Sequence, residues 1–132
     1  MIGIDTNVLV RVFVDDDAPQ TKAAVDFLST LSQDRPAFIG MVVLIELVWV
    51  LKRNYGFKDE AIFVALDSLF DSSSIEIERG DLVQAALQSA QEIRADIADV
   101  LIALTATEAG AVKTVTFDKT AAKRIPGMEL LA

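Results

Sequence analysis

The sequence contains no cysteine and no histidine. These absences remove the usual zinc ligands, imidazole acid–base chemistry and thiol nucleophiles, and disulfides with them. Any catalysis must therefore run on carboxylates. A long uncharged apolar run is also missing: the longest, Met41 to Leu51, is interrupted by Glu46 and is too short to cross a bilayer. No membrane association is expected. An acid stands at position 5 and no basic-then-apolar leader surrounds it, which argues against a secretory signal and leads us to expect a cytoplasmic protein. No repeat, low-complexity tract or linker breaks the chain.

What is present is a chain of 132 residues, 52% of them hydrophobic, with a mean hydropathy of +0.41. The length suits one domain with a substantial core, and the hydropathy suggests an apolar surface that a partner covers. Twenty acids against twelve bases give a formal charge of -8, which by itself opposes binding to a polyanion. Mg²⁺ or Mn²⁺ on clustered carboxylates would reverse the local field where a phosphate sits.

Hydrophobic periodicity predicts a strand over Met1 to Ile4 and a helix from Thr6 to about Asp15, where Asp15-Asp16-Asp17 reads as a solvated turn. A second helix starts at Pro19, followed by a strand at Ala37 to Ile39. A long apolar helix from Met41 to Tyr55 ends at Gly56, and an amphipathic helix follows over Lys58 to Phe70. Ser74 to Glu78 alternates like an edge strand. Helices over Asp81 to Ile93 and Ile97 to Ala109 precede strands at Thr114 to Phe117 and around Met128 to Leu131. Strands alternating with helices indicate an α/β sandwich on a mainly parallel sheet.

In such sheets ligands gather beyond the carboxyl ends of strands, where Asp5 and Asp118 fall. Glu46 lies inside the most apolar helix, and burying a carboxylate there is costly unless it is paired or bound to metal. Asp96 and Asp99 share one face at the start of a helix. Each acid also has a structural reading. Asp5 and Asn7 suit a helix N-cap, and Asp96 suits one better still. Asp99 suits the third helical position, and Asp118-Lys119 suits a turn. Glu46 could point outward or pair with Lys52 or Arg53, although neither has i+3 or i+4 spacing.

Taken together, Ile4-Asp5-Thr6-Asn7-Val8-Leu9-Val10, the apolar helix containing Glu46, Asp96-Ile97-Ala98-Asp99-Val100-Leu101-Ile102-Ala103 and Thr116-Phe117-Asp118-Lys119 resemble the PIN domain, in that order and over the whole chain. Within that family the size resembles the VapC toxins of bacterial toxin–antitoxin pairs. The resemblance implies a single PIN domain over residues 1–132, built as a three-layer sandwich with a mainly parallel central sheet flanked by helices. It also implies a Mg²⁺- or Mn²⁺-dependent endoribonuclease that cleaves RNA with an activated water. Asp5, Glu46, Asp99 and Asp118 are the implied catalytic and metal-binding carboxylates, with Asp96 a candidate fifth left outside the set. Thr6, Asn7 and Thr116 would orient the carboxylates or water. Arg11, Lys52, Arg53, Lys119, Lys123 and Arg124 are candidates for phosphate contacts.

The implied partners are RNA, a cognate antitoxin and a second copy of the chain. The apolar helices around Val42 to Leu51 and Ile62 to Phe70 could supply a dimer face and an antitoxin groove, or simply core. A PIN-type scaffold that binds RNA or protein without cutting is the principal alternative. Asp5 and Asn7 also resemble, more faintly, the opening of haloacid-dehalogenase phosphatases, but Asn7 stands where their second aspartate is required. A phospho-receiver domain would need an acceptor Asp after a central strand, and residues 50 to 60 read instead as a helix end and a turn.

Overall fold

A computed structural model describes all 132 residues. The chain forms two compact units, Met1–Gly80 and Asp81–Ala132. The first unit holds three parallel strands, β1 (Ile2–Gly3), β2 (Ala37–Ile39) and β3 (Ile75–Ile77), in the order β1-β2-β3. Ile2 pairs with Ala37, and Ala37 with Ile75. Parallel neighbours need crossovers, supplied by α1 (Thr6–Phe13) with α2 (Ala18–Ser29), then by α3 (Met41–Tyr55) with α4 (Asp59–Phe70). β2 is central, and its Ala37 and Ile39 are fully buried. β3 lies at the edge, as its alternating sequence predicts.

α3 spans the residues expected of it. It begins at Gly40, which offers no capping side chain. Glu78, just past β3, accepts from the Met41 N–H at 2.7 Å instead, placing negative charge at the positive end of the helix. Gly56 ends the helix in the left-handed conformation (φ 69°), which glycine adopts without a Cβ penalty. Leu44, Leu47, Val48 and Leu51 form its buried stripe, and Ile62, Ala65, Leu66 and Leu69 form that of α4. Both follow the i, i+3, i+4, i+7 pattern of one helical face.

The aspartate run at 15–17 is more than a solvated turn. Asp17 caps α2, accepting from the Gln20 N–H at 3.1 Å. Asp16 takes an ion pair from Arg11 and a 2.7 Å hydrogen bond from the Tyr55 hydroxyl.

The second unit contains α5 (Gly80–Ile93), α6 (Ile97–Glu108), β4 (Thr114–Thr116), α7 (Lys119–Arg124) and β5 (Met128–Leu130). β4 and β5 pair in parallel, so each unit has its own parallel sheet. The α/β class and parallel strands agree with the sequence. The helix α7 was not expected: six residues with one buried side chain, Ala121, give too short a stretch for periodicity to register. Its presence follows from topology, since β4 and β5 could not pair in parallel across a tight turn. β4 also stops at Thr116, one residue earlier than predicted, leaving Phe117 71% exposed. No helix is long and apolar enough to cross a membrane.

Candidate active site

In the first unit the candidate residues gather around Thr6. Asp5 has extended backbone and caps α1, its Oδ1 accepting from the Thr6 N–H at 2.7 Å. Thr6 is buried, 7% exposed, and a buried hydroxyl requires a partner. It donates to Glu46 Oε1 at 3.1 Å. One threonine thus ties together two carboxylates from different elements, Asp5 through its amide and Glu46 through its hydroxyl.

Glu46 is solvent-exposed, as are Asp5 and Asn7, so of the alternatives the sequence leaves open it takes the outward-pointing one. The core takes the Leu44, Leu47, Val48 and Leu51 face, and Glu46 lies off that stripe. It does not pair with its basic neighbours either. Lys52 bonds Asp59 at 2.8 Å, and the Arg53 guanidinium lies 4.0 Å from the centre of the Trp49 ring. Asp5 and Asn7 border a groove of about 510 Å³ whose walls include Arg11, Gln20, Ala24 and Phe27.

In the second unit the acids serve helix starts. Asp96 caps α6, its Oδ1 accepting from the Ala98 N–H at 2.7 Å and the Asp99 N–H at 3.3 Å. Asp99 is third in that helix and half-buried, where a negative charge suits the helix dipole. Asp118 caps α7 through the Ala121 N–H at 2.9 Å, and its own N–H donates to the Thr116 hydroxyl at 3.0 Å. The turn expected at Asp118-Lys119 is therefore a helix start, and Thr116 fixes the backbone of Asp118 rather than its carboxylate.

Within neither unit do three or more carboxylates converge closely enough to hold a metal ion. The chemistry of the donors nonetheless suits a hard cation. All are oxygens, and Asp5 and Glu46 each engage one carboxylate oxygen with Thr6, leaving the other for a ligand. Mg²⁺ and Mn²⁺ favour such donors and retain several waters.

The family model for the PIN domain matches residues 2–127, across both units. The chain belongs to the PIN-domain family. PIN domains are nucleases, generally acting on RNA with divalent metals, so the chain's substrate class is nucleic acid. No curated protein compared with this PIN domain matches it. Asp5, Thr6, Asn7, Glu46, Asp99, Thr116 and Asp118 all fall inside the matched span.

Of the basic residues considered for phosphate contact, Arg11 is engaged by Asp16 and Gln20, and Arg124 donates to the Arg94 carbonyl at 2.8 Å. Lys119, Lys123 and Arg53 are exposed. The sequence reading places Trp49 in the apolar run of α3, whereas the structure leaves it 52% exposed on the same side as Glu46 and Arg53. The signal that separates it from the core is its offset from the buried stripe: Leu47, Val48 and Leu51 flank it in sequence and face the other way.

Proposed function

We propose that this PIN domain is a Mg²⁺- or Mn²⁺-dependent endoribonuclease, acting as the toxin of a VapC-like toxin–antitoxin pair, and that both units belong to one domain. The observation that carries the nuclease reading is the Thr6 link, which holds Asp5 and Glu46 together on an exposed surface without neutralising either. Asp5, Glu46, Asp99 and Asp118 are the carboxylates assigned to the cation by the motif blocks in which they lie. When bound, the cation supplies positive charge at the phosphate and lowers the pKa of water.

The chain's own residues do the positioning. Thr6 fixes the Glu46 carboxylate, and Thr116 fixes the backbone that presents Asp118. Asn7 adds a polar group beside Asp5 in the first turn of α1. The reaction adds water to phosphorus and breaks one P–O ester bond. One product ends in a phosphate and the other in a hydroxyl. No side-chain nucleophile is needed, in keeping with the absence of His and Cys.

The test is cleavage of labelled single-stranded RNA, tRNA included, with Mg²⁺, with Mn²⁺ and with chelator, using Asp99→Asn as control. Metal-dependent cutting that disappears in the variant supports the reading. Equal cutting by both proteins marks a contaminant. Absence of cutting on every substrate favours a non-cleaving scaffold. For the toxin role, induced expression should arrest growth, and Asp99→Asn should relieve the arrest. A homodimer and an antitoxin segment are the protein partners this reading expects. The core takes one face each of α3 and α4 and leaves Val64, 69% exposed on α4, for such a contact.

A further inference from the structure

α3 has a second face. Val42, Glu46, Trp49 and Arg53 are all exposed, and their spacing of four, three and four residues puts them in one row on the helix. Trp49 is the chain's single tryptophan. With a rise of 1.5 Å per residue, Trp49 stands about 4.5 Å and Arg53 about 10.5 Å along the axis from Glu46. The Arg53 guanidinium covers part of the indole at 4.0 Å from its centroid, yet about half of the residue's surface stays open, at 52%.

We propose that Trp49 and Arg53 form a platform for single-stranded RNA, with a base stacked on the indole and a backbone phosphate on the guanidinium. The strand then runs along α3 toward Glu46. This inference rests on the nuclease reading and deepens it. Aromatic stacking accepts any base, and the guanidinium offers paired donors that match a phosphate. In a chain of net charge -8, a cation fixed beside the site is what makes local contact with a polyanion favourable.

The composition of the row favours RNA over a protein helix. An interhelical seam at this spacing would carry apolar residues throughout. Here Glu46 and Arg53 alternate with Val42 and Trp49, and a packed helix would strip water from both charges. A flexible strand leaves Glu46 hydrated and beside a cation.

The experiment uses the full chain carrying Asp5→Asn, so that RNA is not consumed, with Mg²⁺ present. Binding of a fluorescein-labelled single-stranded RNA is followed by anisotropy, and the intrinsic fluorescence of Trp49 is followed with unlabelled RNA. RNA should quench the tryptophan with the same midpoint as the anisotropy change. Adding Trp49→Leu should weaken binding about tenfold, while Trp49→Phe should restore it to within about threefold. Arg53→Gln should weaken binding and reduce the slope of log affinity against log salt by about 0.7.

RNA that binds without moving the tryptophan signal, or with equal affinity to the Leu variant, overturns the platform and leaves the nuclease reading standing. If Trp49→Leu dissociates a dimer while RNA affinity holds, the row is a protein seam and the proposal falls. If no RNA is bound or cleaved by any form of the chain, both readings fall together. Thermal melts of each variant establish that it is folded, and the Phe variant retains the test if the Leu variant is not.

Discussion

Glu46 and Asp96 both belong to segments that resemble the PIN motif, but they are held in different ways. Glu46 receives its hydrogen bond from Thr6, forty residues earlier in the chain. Asp96 accepts from amides two and three residues ahead, and Asp118 from an amide three residues ahead. Tertiary structure orients Glu46, whereas Asp96 and Asp118, like Asp5 in the first unit, are held by local capping. A capped carboxylate is oriented as soon as its helix forms, whereas the Glu46 arrangement exists only once α1 and α3 have packed.

The largest effects should come from removing charge while keeping shape. Asn caps helices about as well as Asp, so Asp5→Asn should leave the metal-free melting temperature unchanged or slightly higher. Metal-dependent RNA cleavage should fall by about a hundredfold or more, because ligand loss exceeds the 10- to 100-fold typical of supporting residues. Asp99→Asn should do the same. The stabilisation by millimolar Mg²⁺, read as a rise in melting temperature, should vanish in both. Variants that keep this rise show that Asp5 and Asp99 do not serve the cation.

Thr6→Val sharpens the comparison, since it deletes the link and keeps the volume. The lost hydrogen bond to a charged acceptor should cost about 1.5 to 3 kcal/mol, and cleavage should fall about tenfold because Glu46 is no longer fixed. Thr6→Ser, which keeps the hydroxyl, should recover most of the activity. If Val and Ser behave alike in the cleavage assay, the hydroxyl does not position Glu46.

The comparison also explains what could be read in advance. Strand β2 and helix α3 were legible to the residue, because Ala37 to Ile39 and Met41 to Tyr55 are bounded by Gly40 and Gly56 and carry clear periodicities. The cap at Asp96 was legible for the same local reason. Glu46 was legible as a candidate but its surroundings were not. An apolar helix in sequence does not reveal which face the core takes, so among ten apolar neighbours Glu46 could be read as buried or as outward-pointing, and the structure leaves it exposed. The Thr6 link, the Glu78 cap on α3 and the tie from Tyr55 to Asp16 join residues 37 to 40 positions apart, which no local pattern encodes. Helix α7 fell below the length at which a period can be seen.

Removing the local caps should cost stability more than chemistry. Asp96→Ala deletes two hydrogen bonds at the start of α6 and should destabilise by about 1 kcal/mol, lowering the melting temperature by roughly 3 to 5 °C. Asp118→Ala should cost less stability, since α7 has only six residues, while removing a proposed cation ligand. The pair thus separates capping from catalysis. Asp96→Ala that retains metal-dependent cleavage after allowance for folding keeps Asp96 outside the ligand set. A loss equal to that of Asp99→Asn would bring it in.

The smallest effect concerns another long-range tie of the first unit, from Tyr55 to Asp16. The Tyr55 hydroxyl and the Arg11 guanidinium hold the Asp16 carboxyl below its ordinary value of 3.8. A carboxyl whose folded value is depressed binds fewer protons folded than unfolded, so it contributes stability above the unfolded value. That contribution is lost as pH falls through the folded value. Asp16→Asn should therefore flatten the melting temperature as a function of pH below roughly pH 4 and change little near neutrality. Because Asp16 is exposed to solvent, the effect should be modest and should shrink with salt. Tyr55→Phe should reproduce most of the flattening, because the tyrosine hydrogen bond is the leading cause of the shift. If only Arg11→Gln does so, the tie is a surface ion pair, and Thr6 with Glu46 is then the only one of the three long-range links that depends on a hydroxyl.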